Sequence, residues 1–220
     1  MMQVLRTRVG VGLIGLLLCL PLPATAENYA VEIVIFSSLH SDDGEEQWPL
    51  PASFPASDQA LALGEGGTRT TDGARSLQAI ADSLGRSNAY RPLLHWRWVQ
   101  PGLARAQARP VRVQVPAGSA LPLKQPAAGM SSPRSSSELQ RLYASPGQSA
   151  NLSLLDGTVS LTLARYLHLA VDLIFTDPAT GVPVRLKESR RMRSNELHYL
   201  DHPRFGVLVQ VTPVKPAAGN

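Results

Sequence analysis

The sequence predicts an α+β fold: a mostly antiparallel β-sheet with one substantial amphipathic helix packed on it, one short C-terminal helical turn and long irregular loops. Three observations carry that prediction. Segments of alternating apolar and polar residues recur along the chain and are joined largely by turn sequences, so hairpins dominate. Only one segment, Leu77 to Leu84, places its apolar groups at strong helical spacing. The stretches 40–72, with its runs of Asp, Glu, Pro and Gly, and 116–151, made of Ala, Ser, Gly and Pro with few large apolar groups, have the composition of loops or partly disordered inserts.

The N-terminus comes first in the order of elements. Arg6 and Arg8 precede an apolar run from Val9 to Leu20, and Ala24-Thr25-Ala26 follows. That is the n-region, h-region and A-x-A site of a secretory signal, with cleavage expected after Ala26. The run is about a dozen residues, short of the roughly 20 that span a bilayer, so no transmembrane segment is expected in the mature protein. Cys19 is preceded by Leu18 where a lipoprotein signal needs a small residue, and it leaves with the signal. Residues 27–220 then form a single domain without cysteine, so neither a disulfide framework nor a thiolate metal site is available. A domain of roughly 190 residues buries about 70% of its unfolded surface and needs no staples. The formal charge of +4 falls to +2, because the signal takes two arginines and no acid. That modest charge, with an exported location, disfavours nucleic acid as a partner.

Tyr29, Val31, Ile33 and Ile35 share one face of a strand whose other face carries Val34 and Phe36 beside Glu32, the pattern of an inner strand covered on both sides. Asp72 is a good N-cap for the helix, whose Leu77, Ile80, Ala81 and Leu84 align until Gly85 can close it. From Tyr90 to Gln100, Leu94, Trp96 and Trp98 occupy one strand face, and Pro101-Gly102 ends the strand. Val111, Val113 and Val115 suggest another strand, and a short helix is expected near Glu138 to Tyr143. The longest apolar alternation, Val159 to Phe175, is interrupted only by Arg165 and reads as a bent strand or two abutting ones. Asp177 to Gly181 turns the chain into a strand from Val184 to Arg193. Asn195 to His202 reads as the short helical turn, ended by Pro203, and Phe205 to Val211 as the last strand.

Three constellations could carry function. Period 2 puts Arg185, Lys187, Ser189, Arg191 and Arg193 on one strand face, a cation about every 7 Å, suited to a row of carboxylates. The same row also suits a solvated face that keeps a strand from aggregating. His198, Asp201 and His202 superficially match the inverted zinc-protease pattern H-x-x-E-H, but Asp stands in place of Glu and Pro203 disfavours a helix there. A hydrogen-bonded turn in which Asp201 caps backbone donors is the expected alternative to a metal site. The third constellation is aromatic: Trp96 and Trp98 on one strand, and Tyr166 with His168 on another. Both indoles alternate with Leu94 and are expected in the core rather than on a glycan platform. No G-x-S-x-G elbow, P-loop or Rossmann glycine pattern is present, and no catalytic residue, metal or cofactor is expected.

Four segments look familiar together: Tyr90 to Pro101 (YRPLLHWRWVQP), Arg165 to Leu169 (RYLHL), Ser189 to Ser194 (SRRMRS) and Glu196 to Val207 (ELHYLDHPRFGV). In this order they resemble the CsiV family of periplasmic peptidoglycan-binding proteins, over most of the chain except the loops at 40–70 and 116–150. The resemblance implies a non-catalytic factor that binds the cell wall and supports cell shape by promoting wall synthesis. Its implied partners are peptidoglycan and an outer-membrane lipoprotein that activates a bifunctional penicillin-binding protein. It carries over no set of binding residues. Wall glycan offers sugar faces and stem-peptide carboxylates, the chemistry that arginine and aromatic residues recognise. On that ground Arg191, Arg193, Arg165, Tyr166, His168, Tyr199 and His202 are the expected ligand-binding residues. Two other classes stay open: a metal-dependent wall hydrolase or amidase using His198 and His202, and a structural interaction protein that reaches the wall only through a partner.

Overall fold

The computed structural model describes residues 27–39, 50–55, 59–70, 73, 75–124, 135–144 and 153–215. The expected signal segment, 1–26, and Asp72 lie outside the described residues. In chain order the elements are β1 (Asn28–Ser38), β2 (Arg69–Thr70), α1 (Gln78–Arg86), β3 (Tyr90–Pro101), β4 (Val111–Pro116), α2 (Ser136–Ala144), β5 (Ser153–Leu163), β6 (Leu167–Thr176), β7 (Pro183–Met192), β8 (Leu197–His202) and β9 (Phe205–Val214). They build two antiparallel sheets, one of order β2-β3-β1-β9-β8 and one of order β4-β5-β6-β7.

The period-2 alternation sends one side of every long strand into a shared core between the sheets. Val31, Ile33 and Ile35 of β1, Trp96 and Trp98 of β3, and Val207, Val209 and Val211 of β9 meet Val111, Val113, Val159, Leu169 and Leu173 of the facing sheet. Both tryptophans are buried there, as their alternation with Leu94 predicts, and Trp98 Nε1 donates to Gln100 Oε1 at 2.7 Å. The sheets are stitched along one side, where Arg190 of β7 donates to the Tyr199 carbonyl of β8 at 3.0 Å. In the second sheet Gly157 permits the pairing of β5 with β6, since a Cβ there would sit 2.1 Å from the Asp172 carbonyl oxygen.

Each sheet carries one short helix on its outer face. Leu77, Ile80, Ala81 and Leu84 pack on Val34 and Leu208, so α1 covers β1 and β9. Nine residues make α1 too short to hold its shape alone, and its first turn is tied down from β1. The Glu32 carboxylate accepts from Ser76 N (2.8 Å), Ser76 Oγ (2.8 Å) and Leu77 N (3.0 Å), and also from His95 Nε2 (2.8 Å). On the other outer face Leu139 of α2 packs with Phe54 and Ile174, and Tyr143 stacks on Phe54 at 4.9 Å. The adjacent Arg112–Asp156 pair is buried and two-pronged, at 3.2 and 2.8 Å.

Several sequence expectations are corrected. Among the described residues there is no one substantial helix: α1 and α2 are both short, and strands dominate. Leu77 takes the cap position of α1 without a side-chain cap, Glu32 of a neighbouring strand holding the Ser76 and Leu77 N–H groups just before the helix, and Gly85 lies within α1, which runs on to Arg86. The long alternation from Val159 is a hairpin, β5 and β6, because Ala164 to Tyr166 turn the chain and Leu163 pairs with Leu167. The expected helical turn at 195–202 is strand β8, paired with β9 from Leu197↔Gln210 to His202↔Phe205. The physical reason is that β9 needs an edge partner and Leu200 needs the core. A strand satisfies both, with Leu200 buried while Tyr199 and Asp201 point outward. The short helix near Glu138 is present as α2. No helix among the described residues is long and apolar enough to cross a membrane.

Candidate functional site

The outward face of β5 carries Thr158, Ser160 and Thr162, small polar groups alternating with the buried Val159 and Leu161. Strand pairing sets these beside β6 and β7 in rows. Ser160 lies opposite Ala170, and Ala170 opposite Ser189; Thr162 lies opposite His168, and His168 opposite Arg191. Small side chains at Ala170 and Ser189 leave the surface concave. The result is a cleft of ≈ 490 Å³ lined by Ser160, Thr162, His168, Ser189 and Arg105 among others.

The loop after β3 supplies the cleft's far wall, including Arg105 and Ala108. Its close approach depends on Gly102, where a Cβ would meet Tyr29 Cε2 at 2.6 Å and Leu163 Cδ2 at 3.0 Å. Leu163 N donates to the Leu103 carbonyl at 2.8 Å and locks that loop to the β5–β6 hairpin. At the hairpin tip Tyr166 is 39% exposed. The Arg191 guanidinium lies 4.8 Å from its ring centroid and that of Arg165 5.7 Å, so two cations share one aromatic ring. Each such contact is worth about 0.5–1 kcal/mol at an exposed site. Four of the expected residues, Arg165, Tyr166, His168 and Arg191, therefore come together at one end of the second sheet. They offer guanidinium, imidazole and hydroxyl groups to an oxygen-rich ligand and a ring face to an apolar one.

The other three expected residues stand elsewhere. Arg193 follows the end of β7, with Nη1 3.7 Å from Glu196 Oε1. Tyr199 belongs to the outer face of the five-stranded sheet, where its ring stacks on Phe36 at 6.2 Å and Phe36 meets Tyr90 edge-on at 5.3 Å. Its hydroxyl donates to Asp201 Oδ1 at 2.5 Å, and burial, that bond and the Asp201 charge together push its pKa well above the usual phenol range. His202 closes the β8–β9 hairpin, its Nδ1 accepting from Arg204 N at 3.2 Å and its ring 5.5 Å from Phe205. Burial pulls its pKa down, partly countered by Asp201. Asp201 thus serves the Tyr199 hydroxyl rather than capping backbone donors.

The cationic row divides. Arg185 is held by Asp172 through Nε–Oδ1 and Nη2–Oδ2, both 2.7 Å, and also by Ser53, while Lys187 lies 3.8 Å from the same carboxylate. Of the row, Ser189 lines the cleft, and Arg191 stands beside it, opposite the cleft-lining His168. The H-x-x-D-H pattern loses its zinc geometry, because His198 and His202 four residues apart on a strand stand about 13 Å apart along it. Among the described residues no group of three or more His, Cys, Asp or Glu is placed to hold a metal.

Arg105, Ser160 and Thr162 were not expected from the sequence. The Thr158-Ser160-Thr162 alternation was a readable sign of a polar sheet face, but nothing local ties Arg105 to it. No curated protein and no solved structure matches the chain. A family model described as "Peptidoglycan-binding protein, CsiV" matches residues 11–214, nearly the whole chain, and the protein belongs to that family.

Proposed function

We propose that the protein is a non-catalytic peptidoglycan-binding protein of the periplasm, exported with cleavage after Ala26, and that the cleft at the β5–β6 tip is where it holds the wall. The observation that carries this reading is the convergence, in a chain of this family, of Arg165 and Arg191 on the Tyr166 ring beside a cleft lined with hydroxyls and His168. Guanidinium groups take stem-peptide carboxylates two-pronged, hydroxyls and imidazole take sugar oxygens, and the tyrosine face takes a sugar ring. The groups lining the cleft bind and orient; the nearby carboxylate Asp172 is committed to Arg185. A role in wall synthesis and cell shape, exerted with an outer-membrane lipoprotein that activates a penicillin-binding protein, belongs to the same proposal.

The test is co-sedimentation with purified sacculi at low and high salt, for the wild type and for R165A/R191A and Y166A. Pelleting that weakens with salt and falls in both variants, with unchanged far-UV circular dichroism, is the expected result. Equal pelleting of the variants would remove the cleft as the binding site. No pelleting of the wild type at either salt would mean that the wall is reached through a partner.

A further inference from the structure

A second concave site lies on the opposite outer face, between α1 and the segment 121–124. This groove of ≈ 500 Å³ is lined by Gln78, Asp82, Arg86, Arg91, His95 and Lys124 among others. Both walls are fixed. His95 N donates to the Leu123 carbonyl at 2.8 Å and Leu123 N to that of Leu93 at 3.1 Å, which lays the segment along β3. Arg75 clamps it further, donating to the carbonyls of His95 at 2.8 Å and Lys124 at 3.0 Å.

Its electrostatics are lopsided. Arg86, Arg91 and Lys124 are exposed cations whose side chains make no hydrogen bond or ion pair among the described residues. The one acid of the groove, Asp82, already accepts from Gln78 Nε2 at 2.7 Å. At the floor His95 is 1% exposed, its Nε2 directed to Glu32, and its Nδ1 has no hydrogen-bond partner among the described residues. A buried polar atom without a partner is costly and calls for an explanation. Unpaired guanidinium and ammonium groups around a preformed cavity are the makings of an anion site, and with its Nε2–H given to Glu32 the His95 ring presents Nδ1 as an acceptor, suited to a hydroxyl or a protonated oxygen of the ligand.

We propose that the groove between α1 and residues 121–124 is a separate binding site for a small oxyanion ligand carrying more than one negative charge, as carboxylates or phosphates. It uses none of the residues of the β5–β6 cleft, so it stands or falls independently of the wall-binding reading. Its test is a titration of the full-length protein with pyrophosphate and, separately, with citrate, followed by NMR at the His95 ring and the amides of 78–86. Saturable shifts are expected, and the tighter probe tells phosphate from carboxylate as the ligand chemistry. Both Arg91 and Lys124 are exposed, so R91A/K124A should fold and should weaken binding about tenfold or more. R191A should leave it unchanged. Absence of saturable shifts with both probes, undiminished affinity in R91A/K124A, or equal loss in R191A would overturn the assignment.

Discussion

Substituting Glu32 by Gln tests how the fold positions that groove. The carboxylate is 3% exposed and gathers four donors: Ser76 N, Ser76 Oγ, Leu77 N and His95 Nε2. Gln keeps one acceptor oxygen but loses the charge and turns an N–H group toward donors. A charged hydrogen bond is worth about 1.5–3 kcal/mol, and removal of one partner from a buried pair about 3–5. A loss of about 3 kcal/mol follows, which for a domain of this size lowers Tm by roughly 6–12 °C. The pH dependence gives a second signature. Burial raises the Glu32 pKa, but the bonds from His95, Ser76 and Leu77 outweigh it and hold the pKa below its ordinary value. A depressed carboxylate stabilises the fold above its unfolded pKa and loses that contribution as pH falls through the folded value. The wild type should therefore lose stability on acidification more steeply than E32Q. Thermal melts by circular dichroism from neutral pH downward measure both effects. A Tm within about 2 °C of the wild type together with an unchanged acid slope would refute the reasoning.

Other consequences are equally direct. G157A must push a methyl group against the Asp172 carbonyl, so β5 and β6 have to part; a loss of about 3 kcal/mol or more in urea unfolding is expected, and a loss under 1 would contradict the register. W96A should cost about 3–5 kcal/mol, since the indole fills the space between the sheets; chemical denaturation reads it. Metal analysis of untagged protein should find no stoichiometric zinc, and H198A/H202A should leave the result unchanged, because β8 holds the two imidazoles about 13 Å apart along the strand. Y199F removes the bond to Asp201, so one tyrosine that ionises above the usual phenol range should vanish from a spectrophotometric titration; an unaltered profile would rule out that bond.

Much of this was legible in the sequence, and the residues show why. Trp96, Trp98, Val31 and Ile33 declare themselves as core through alternation, which depends only on neighbours in the chain and on side-chain chemistry. The family, and with it the expectation of wall binding, came from short motifs in order, and residues 11–214 match it. What the sequence left undecided rests on contacts distant in the chain. Residues 197–202 have no local preference strong enough to choose strand over helix; the free edge of β9 chooses for them. The residues that lead into α1 are held by Glu32, more than forty residues earlier, and the helix begins at Gln78, where local reading pointed to a start at Asp72. Tyr199 and His202 follow the arginine strand closely in sequence, and Arg190 reaches the Tyr199 carbonyl, yet β8 belongs to the other sheet, on whose outer face the Tyr199 ring lies. The chain therefore separates them from Arg191, while the pairing of β6 with β7 brings His168 to it. Composition and periodicity determined which residues face inward and what chemistry the surface carries. Only the tertiary structure decided which surface groups share a cleft, because register and edge pairing are settled by the burial of whole sheets and not by any segment alone.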